Sequence, residues 1–461
     1  MLDVQLGELT AAGPAGVAEA LGLVAGFDQA LALGFARVGE EPAAALAALA
    51  GALAGSPLGD RAGEAVERWS RAPSATSTWP RWPAWRAALT GAAHDALLAR
   101  LDAALAGPAP LGRARRARGR PAGQPAGGRP RLAAELAITG WRGVDHDVVT
   151  PSDRTVEALL GVPALRGLAV LLDGLAAELR ASCPVSAMDL LPARRWADLW
   201  ARGLLLARSG PWHGTPEPVS GRLLVLGADV HEHATVVRVQ VHGVLEPAGG
   251  GPARLVRAGV AAAKVDTITG PAVWRLLAGH PVLLGALAGH HALDLAGMPL
   301  LPGGDLVWHD DLARAGEAAD PFTTARVLLG AAQAPPVPPL DRHPVRIAEP
   351  VLVEHYRVDG ETLELGGNRL ALDLDRLPSC TPLTPELVAA SSTCLGLLRW
   401  DGGRWLLQPL AVQATVQKKP VTAHTGDWAL GPADPKVVKA EARAGDPVAV
   451  LRERAGRLLR K

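Results

Sequence analysis

The chain has 461 residues with 47 basic against 46 acidic side chains, a formal charge of +1, so no global field draws it towards nucleic acid or a membrane surface. Its 48% hydrophobic content excludes a disordered chain and, at roughly 150 residues per domain, leaves room for about three cores. Three widely spaced cysteines, Cys183, Cys380 and Cys394, include no C-x-x-C pair and argue against a disulfide framework or a zinc ribbon.

The first residues, MLDVQLGELT, lack the basic start and apolar run of a secretory signal. No stretch of about 20 residues stays apolar enough to span a bilayer. Cytoplasmic residence without membrane insertion is therefore expected. From Gly13 to Ala106, apolar residues such as Leu21, Val24, Phe27 and Leu31, then Leu89, Ala93, Leu97 and Leu101, recur at spacings of three and four, which predicts an all-α helical domain over residues 1–106. With seven Arg against eleven Asp and Glu it is mildly acidic.

Within that region Trp79, Trp82 and Trp85 would line one edge of a polyproline II segment, which turns once every three residues. Exposed, they would be rigid anchors for a protein partner; folded over the bundle, they would complete its core, and the core reading is weighted slightly more. Residues 107–131 follow with seven arginines and no acidic residue. Arg113, Arg115, Arg116, Arg118 and Arg120 could neutralise phosphates in a salt-sensitive way. No aromatic residue accompanies them to stack on a base, so an Arg-rich flexible linker is preferred to a nucleic-acid site.

Residues 132–333 read as an α+β domain. Ser152 or Asp153 can cap a first helix, Leu165 to Leu179 form the stripe of a second, and a third begins at Pro192 with Trp196, Leu199, Trp200 and Leu204 aligned. Arg222–Leu226, Thr235–Leu245 and Arg254–Ala263 then predict a three-stranded meander, its first two strands joined by GADVHEHA, and Thr269 and Pro271 open a helix through Trp274. Residues 334–344 read as a proline-rich extended linker. Beyond it, residues 345–461 carry hairpin signals at Asp359-Gly360, Gly366-Gly367 and Gly402-Gly403, so a β-rich module is expected, closed by a basic helix from Pro447.

Few residues suggest chemistry. Asp229, His231 and His233 alternate along an extended segment and could share one zinc ion with a further ligand such as His242, His290, His291 or His309; a solvent-exposed hairpin connection is the preferred alternative. Asp145-His146-Asp147 and Trp308-His309-Asp310-Asp311 read better as solvated loops than as tuned proton-transfer groups. Cys394, in an apolar run, reads better as a core residue than as a nucleophile. Neither a Walker loop, a dinucleotide fingerprint nor a nucleophile elbow is present.

The expectation is a multidomain protein: an all-α helical bundle, then an α+β region with antiparallel meanders, then a β-rich module ending in a helix. The leading functional reading is a non-enzymatic scaffold or adaptor for an unidentified protein partner, with no cofactor. The alternatives are a metal-dependent hydrolase or metal-binding protein using His231 and His233, and non-specific nucleic-acid binding through the arginine run.

Overall fold

One-sided apolar stripes force the N-terminal helices to seal against one another, and tryptophan fills most of the seam. The computed structural model describes residues 1–11, 13–35, 40–54, 82–106, 131–162, 165–209, 214–233 and 235–458. Its helical layer comprises α1 (Asp3–Thr10), α2 (Val17–Leu33), α3 (Glu40–Leu53), α4 (Trp82–Ala106), α5 (Arg131–Thr139), α6 (His146–Val149), α7 (Ser152–Leu160), α8 (Arg166–Ala181) and α9 (Ala193–Ser209). Phe27, Phe35, Trp82, Trp85, Trp141, Trp196 and Trp200 are buried together in its core. The Phe35 and Trp82 rings meet edge-on at 4.3 Å, a geometry that adds about 0.5–1.5 kcal/mol to simple area burial.

That core takes residues from both sides of the arginine run: α2, α3 and the start of α4 from before it, α5, α8 and α9 from after it. Packing therefore does not follow the division expected at 107–131. The two sides cross at Gly34 and Gly140, where a Cβ on Gly140 would stand 2.3 Å from the Gly34 nitrogen. Phe35 N–H donates to Ala137 C=O at 2.9 Å beside the crossing. The rear of α4 turns elsewhere: Leu97 and Leu101, with Leu6 and Leu9 of α1, pack on the C-terminal sheet.

The first sheet contains β1 (Glu217–Glu232), β2 (Val236–Pro247), β3 (Arg254–Ala263), β4 (His291–Leu300), β5 (Asp305–Leu306) and β6 (Ala313–Ala318). Pairings run β1–β2–β3–β5–β4 and return to β1, so the strands form a ring, with β6 added to β4. Inside lie Val225, Val230, Val237, Val239, Val241, Val256 and Val260, closed off by Trp274 and by Leu283 and Leu287 of α10 (Pro281–Gly289). The expected meander is present, but GADVHEHA is not its connection. β1 continues through Glu232, because Ala228 and Val230 still point into the core while Asp229 and His231 alternate outward. The segment expected as a helix through Trp274 winds instead as a 3-10 helix, Gly270–Leu277.

Helix α11 (Pro321–Leu328) leads to residues 334–344, expected as an extended linker. They are packed instead. Leu255 N–H bonds to Gln333 C=O at 2.8 Å, and Pro335 and Pro338 lie against Gly304 and Gly303; proline, having no N–H to satisfy, covers a strand end without a cost in lost hydrogen bonds.

The second sheet comprises β7 (Ala348–Glu354), β8 (Arg357–Asp359), β9 (Thr362–Leu365), β10 (Asn368–Leu372), β11 (Ser391–Asp401), β12 (Arg404–Val416) and β13 (Lys419–His424), with α12 (Pro385–Ala389) before β11. Its order is β7-β11-β12-β10-β9-β8, and β13 pairs with β12. The hairpins fall where the glycine pairs place them. Gly366 and Gly367, then Gly402 and Gly403, all take positive φ, as a two-residue turn matching strand twist requires. Helices α13 (Pro435–Ala444) and α14 (Pro447–Leu458) close the described chain. The fold is thus an all-α bundle, an α+β region with antiparallel meanders and a β-rich module ending in helices. No helix among the described residues is long and apolar enough to cross a membrane.

Candidate functional site

The run Val237-Arg238-Val239-Gln240-Val241-His242 in β2 alternates strictly, and alternate residues of a strand face opposite sides. The valines fill the ring, which turns Arg238, Gln240 and His242 towards the rest of the protein. Register completes the face: Asp229 lies opposite Gln240, His231 opposite Arg238, and Arg257 of β3 opposite His242. This face meets β11 and β12 closely at Gly227, where a Cβ would come within 2.9 Å of Leu410.

Beside that approach the layers part around a polar cleft of about 530 Å³. Arg238 and Arg257 line it from the first sheet, Arg399 from the second, Arg202 from α9, and Arg346 from the segment after the prolines. Four carboxylates, Asp229, Asp305, Asp341 and Glu349, line it too, so its formal charge is near +1. Arg257 Nη2 donates to Asp305 at 2.9 Å and to Gly303 C=O at 2.9 Å. Arg202 and Arg346 share Asp341, each at 3.2 Å. Arg238 has no hydrogen bond or ion pair among the described residues.

Asp229 ties the sheets together. Arg399 Nη2 reaches Oδ2 at 2.7 Å and Gln408 Nε2 reaches Oδ1 at 2.8 Å. Burial works to raise its carboxyl, and Arg399 with the Gln408 hydrogen bond outweighs this, holding it below the usual range. Behind it, burial pushes the fully enclosed His242 imidazole down to about 3, with Arg257 acting in the same direction, so His242 is neutral. Among the described residues three buried atoms around the cleft make no hydrogen bond: Arg202 Nη1, which stands 3.9 Å from Asp198 Oδ2, Arg257 Nε and His242 Nε2. All are nitrogens, and the guanidinium ones can only donate.

The residues singled out from sequence are placed as follows. His231 and His233 lie side by side, rings 4.3 Å apart, but Asp229 spends both oxygens on Arg399 and Gln408. Those three do not converge as a metal site. Among the described residues the one set bringing three ligand atoms within 4.8 Å of each other is His290, His424 and Asp427. Trp82 and Trp85 are 0% and 1% exposed, so of the two readings the core one holds for them and the interface-anchor one does not: Trp82 begins α4, and one helical face carries both indoles into the bundle. Trp79, Arg113, Arg115, Arg116, Arg118 and Arg120 lie outside the described residues.

Cys394 is a core residue whose thiol burial pushes up to about 12, far from the thiolate a nucleophile needs. Asp145 caps α6 through Val148 N–H. Asp310 accepts from Trp308 Nε1 at 2.6 Å and from Val282 N–H of α10 at 2.8 Å, while His309 is exposed. The cleft residues Arg238, Arg257 and Arg399 were missed by sequence reasoning, although the alternation R-V-Q-V-H was a readable signal for a polar sheet face. Comparison with protein-family models, with curated proteins and with solved structures finds no match to this chain.

Proposed function

We propose that the protein is a non-enzymatic binding protein whose cleft between the sheets and the helical layer takes a small anionic molecule bearing phosphate or carboxylate groups. The observation that carries this reading is the sign of the unmet hydrogen-bonding capacity among the described residues: each buried side-chain atom around the cleft that makes no hydrogen bond is a nitrogen, and the guanidinium of Arg238 at its wall has no hydrogen bond or ion pair. Planar guanidinium groups recognise phosphate and carboxylate by paired hydrogen bonds. An adaptor role fits the same geometry, because a ligand touching Arg202, Arg238 and Arg346 would join the helical layer to the first sheet and to the segment that leads into β7, and stiffen the surface offered to a protein partner.

Titration calorimetry with inorganic pyrophosphate and with citrate tests the reading. Saturable binding is expected, weakening as salt screens the charges. R238A should lose about tenfold in affinity, near 1.4 kcal/mol, while R369A, on the remote β9–β10 hairpin where Arg369 pairs with Asp359 and Glu364, should not change it. No binding of either anion at millimolar concentration, or equal binding by R238A, would refute the proposal.

A further inference from the structure

A second polar cluster stands apart from the cleft, where α10 meets β4 and the end of β13 turns. Helix α10 ends at His290, which caps it in the left-handed conformation at φ 50°, ψ 51°, a backbone state that costs a non-glycine residue about 1 kcal/mol or more. His424 closes β13, and the turn Thr425-Gly426-Asp427 follows. His290 Nε2 and Asp427 Oδ1 are 2.8 Å apart, and the His290 and His424 rings stand 4.2 Å apart.

The three side chains are held from behind. His424 N–H donates to Asp427 Oδ2 at 2.9 Å, which fixes the carboxylate. Thr425 N–H donates to Leu410 C=O at 2.9 Å, and its hydroxyl to Ala228 C=O. Gly426 sits on Leu287, where a Cβ would come within 3.1 Å. Phe322 walls off the buried His424 ring at 5.5 Å, while His290 and Asp427 remain open to solvent. The charges acting on the two imidazoles are those of Asp427 and Asp320 and, on His424, that of His290 itself; among the described residues no arginine or lysine acts on either. Two imidazoles near two carboxylates, with no arginine or lysine among the described residues acting on them, form an environment suited to a cation.

We infer that His290, His424 and Asp427 bind a divalent transition-metal ion of the zinc class, with water completing the coordination. The donor set of two imidazole nitrogens and one carboxylate oxygen is one zinc accepts, with ligands at about 2.0–2.2 Å. Tetrahedral ligands at that radius stand about 3.3 Å apart, so the ion replaces the proton between His290 and Asp427 after the pair opens by roughly half an ångström. His290 ends the helix packed inside the first sheet and His424 belongs to the second, so the ion would clasp the two sheets.

The test is calorimetric titration of the chelated, dialysed full-length chain with Zn²⁺ alone, and optical titration with Co²⁺. Expected are one ion per chain, a dissociation constant of about 10 µM or tighter, the ligand-field bands of cobalt held by nitrogen and oxygen, and a raised melting temperature. H290A and D427N should each weaken binding by about a hundredfold, while H231A/H233A leaves it unchanged. D427N retains an oxygen able to accept from His424 N–H, so it keeps the test decisive if H290A fails to fold, with circular dichroism as the check. Absence of stoichiometric binding, binding unaltered in D427N, or binding lost in H231A/H233A would each overturn the inference.

Discussion

At the scale of single residues, the helical core is organised by a charge pair as well as by indoles. Arg86 of α4 grips Asp28 of α2 with two hydrogen bonds, Nε to Oδ1 at 2.7 Å and Nη2 to Oδ2 at 2.9 Å, and both side chains are buried. Removing one partner leaves the other charge without water or a counter-ion, so R86M should lower the unfolding free energy by about 3–5 kcal/mol in urea titrations. The surface variant R369A should fall within about 0.5 kcal/mol of the parent.

Buried histidines add a pH dependence. Burial lowers His242 to about 3 and His343 to about 4, against roughly 6.5 in an unfolded chain. Below that pH the unfolded state binds more protons than the folded one. Their contribution is therefore complete above pH 6.5 and is lost progressively as pH falls from 6.5 towards 4 for His343 and towards 3 for His242, each at up to about 1.4 kcal/mol per pH unit. Unfolding measured at pH 7 and pH 5 should show this slope, and H343Q should reduce it; equal stability at both pH values would contradict the assignment.

At the scale of elements, periodicity predicts well and packing partners do not follow from it. The hairpin expected at Gly402-Gly403 forms, and its turn sets Asp401 opposite Arg404 and Trp400 opposite Trp405, rings 5.2 Å apart. The end of β1 was misread because Gly227 and the histidines of GADVHEHA resemble a turn, although the strand alternation continues beneath them. The crossing of Gly34 over Gly140 had no local signal, since the contact joins residues far apart in the chain. Both take positive φ, 84° and 73°, and neither has space for a Cβ. G140A should therefore destabilise by roughly 3 kcal/mol, which thermal unfolding would detect.

At the scale of the whole molecule, three layers share two junctions. Asp229, held by Arg399 and Gln408, closes one between the sheets, and Leu6 and Leu9 of α1 with Leu97 and Leu101 of α4 close the other between the helical layer and the second sheet. A fragment of residues 1–106 lacks Trp141, Trp196 and Trp200 from its core. It should fold poorly alone and copurify with residues 131–461 when the two are coexpressed. A stable, monomeric, cooperatively melting 1–106 fragment would show that the bundle is self-sufficient.

By itself the sequence determined the elements: helices where apolar residues recur every three or four positions, strands where they alternate, and reversals at paired glycines. These signals arise from neighbours in the chain, within reach of backbone sterics and side-chain period. Only the tertiary structure decided which stripes seal together, that Trp82 and Trp85 are core, and that Asp229 belongs to Arg399. It also decided that His290 meets His424 and Asp427. Each of these depends on side chains brought together from distant positions, where burial and charge select the partner and sequence spacing carries no record of it.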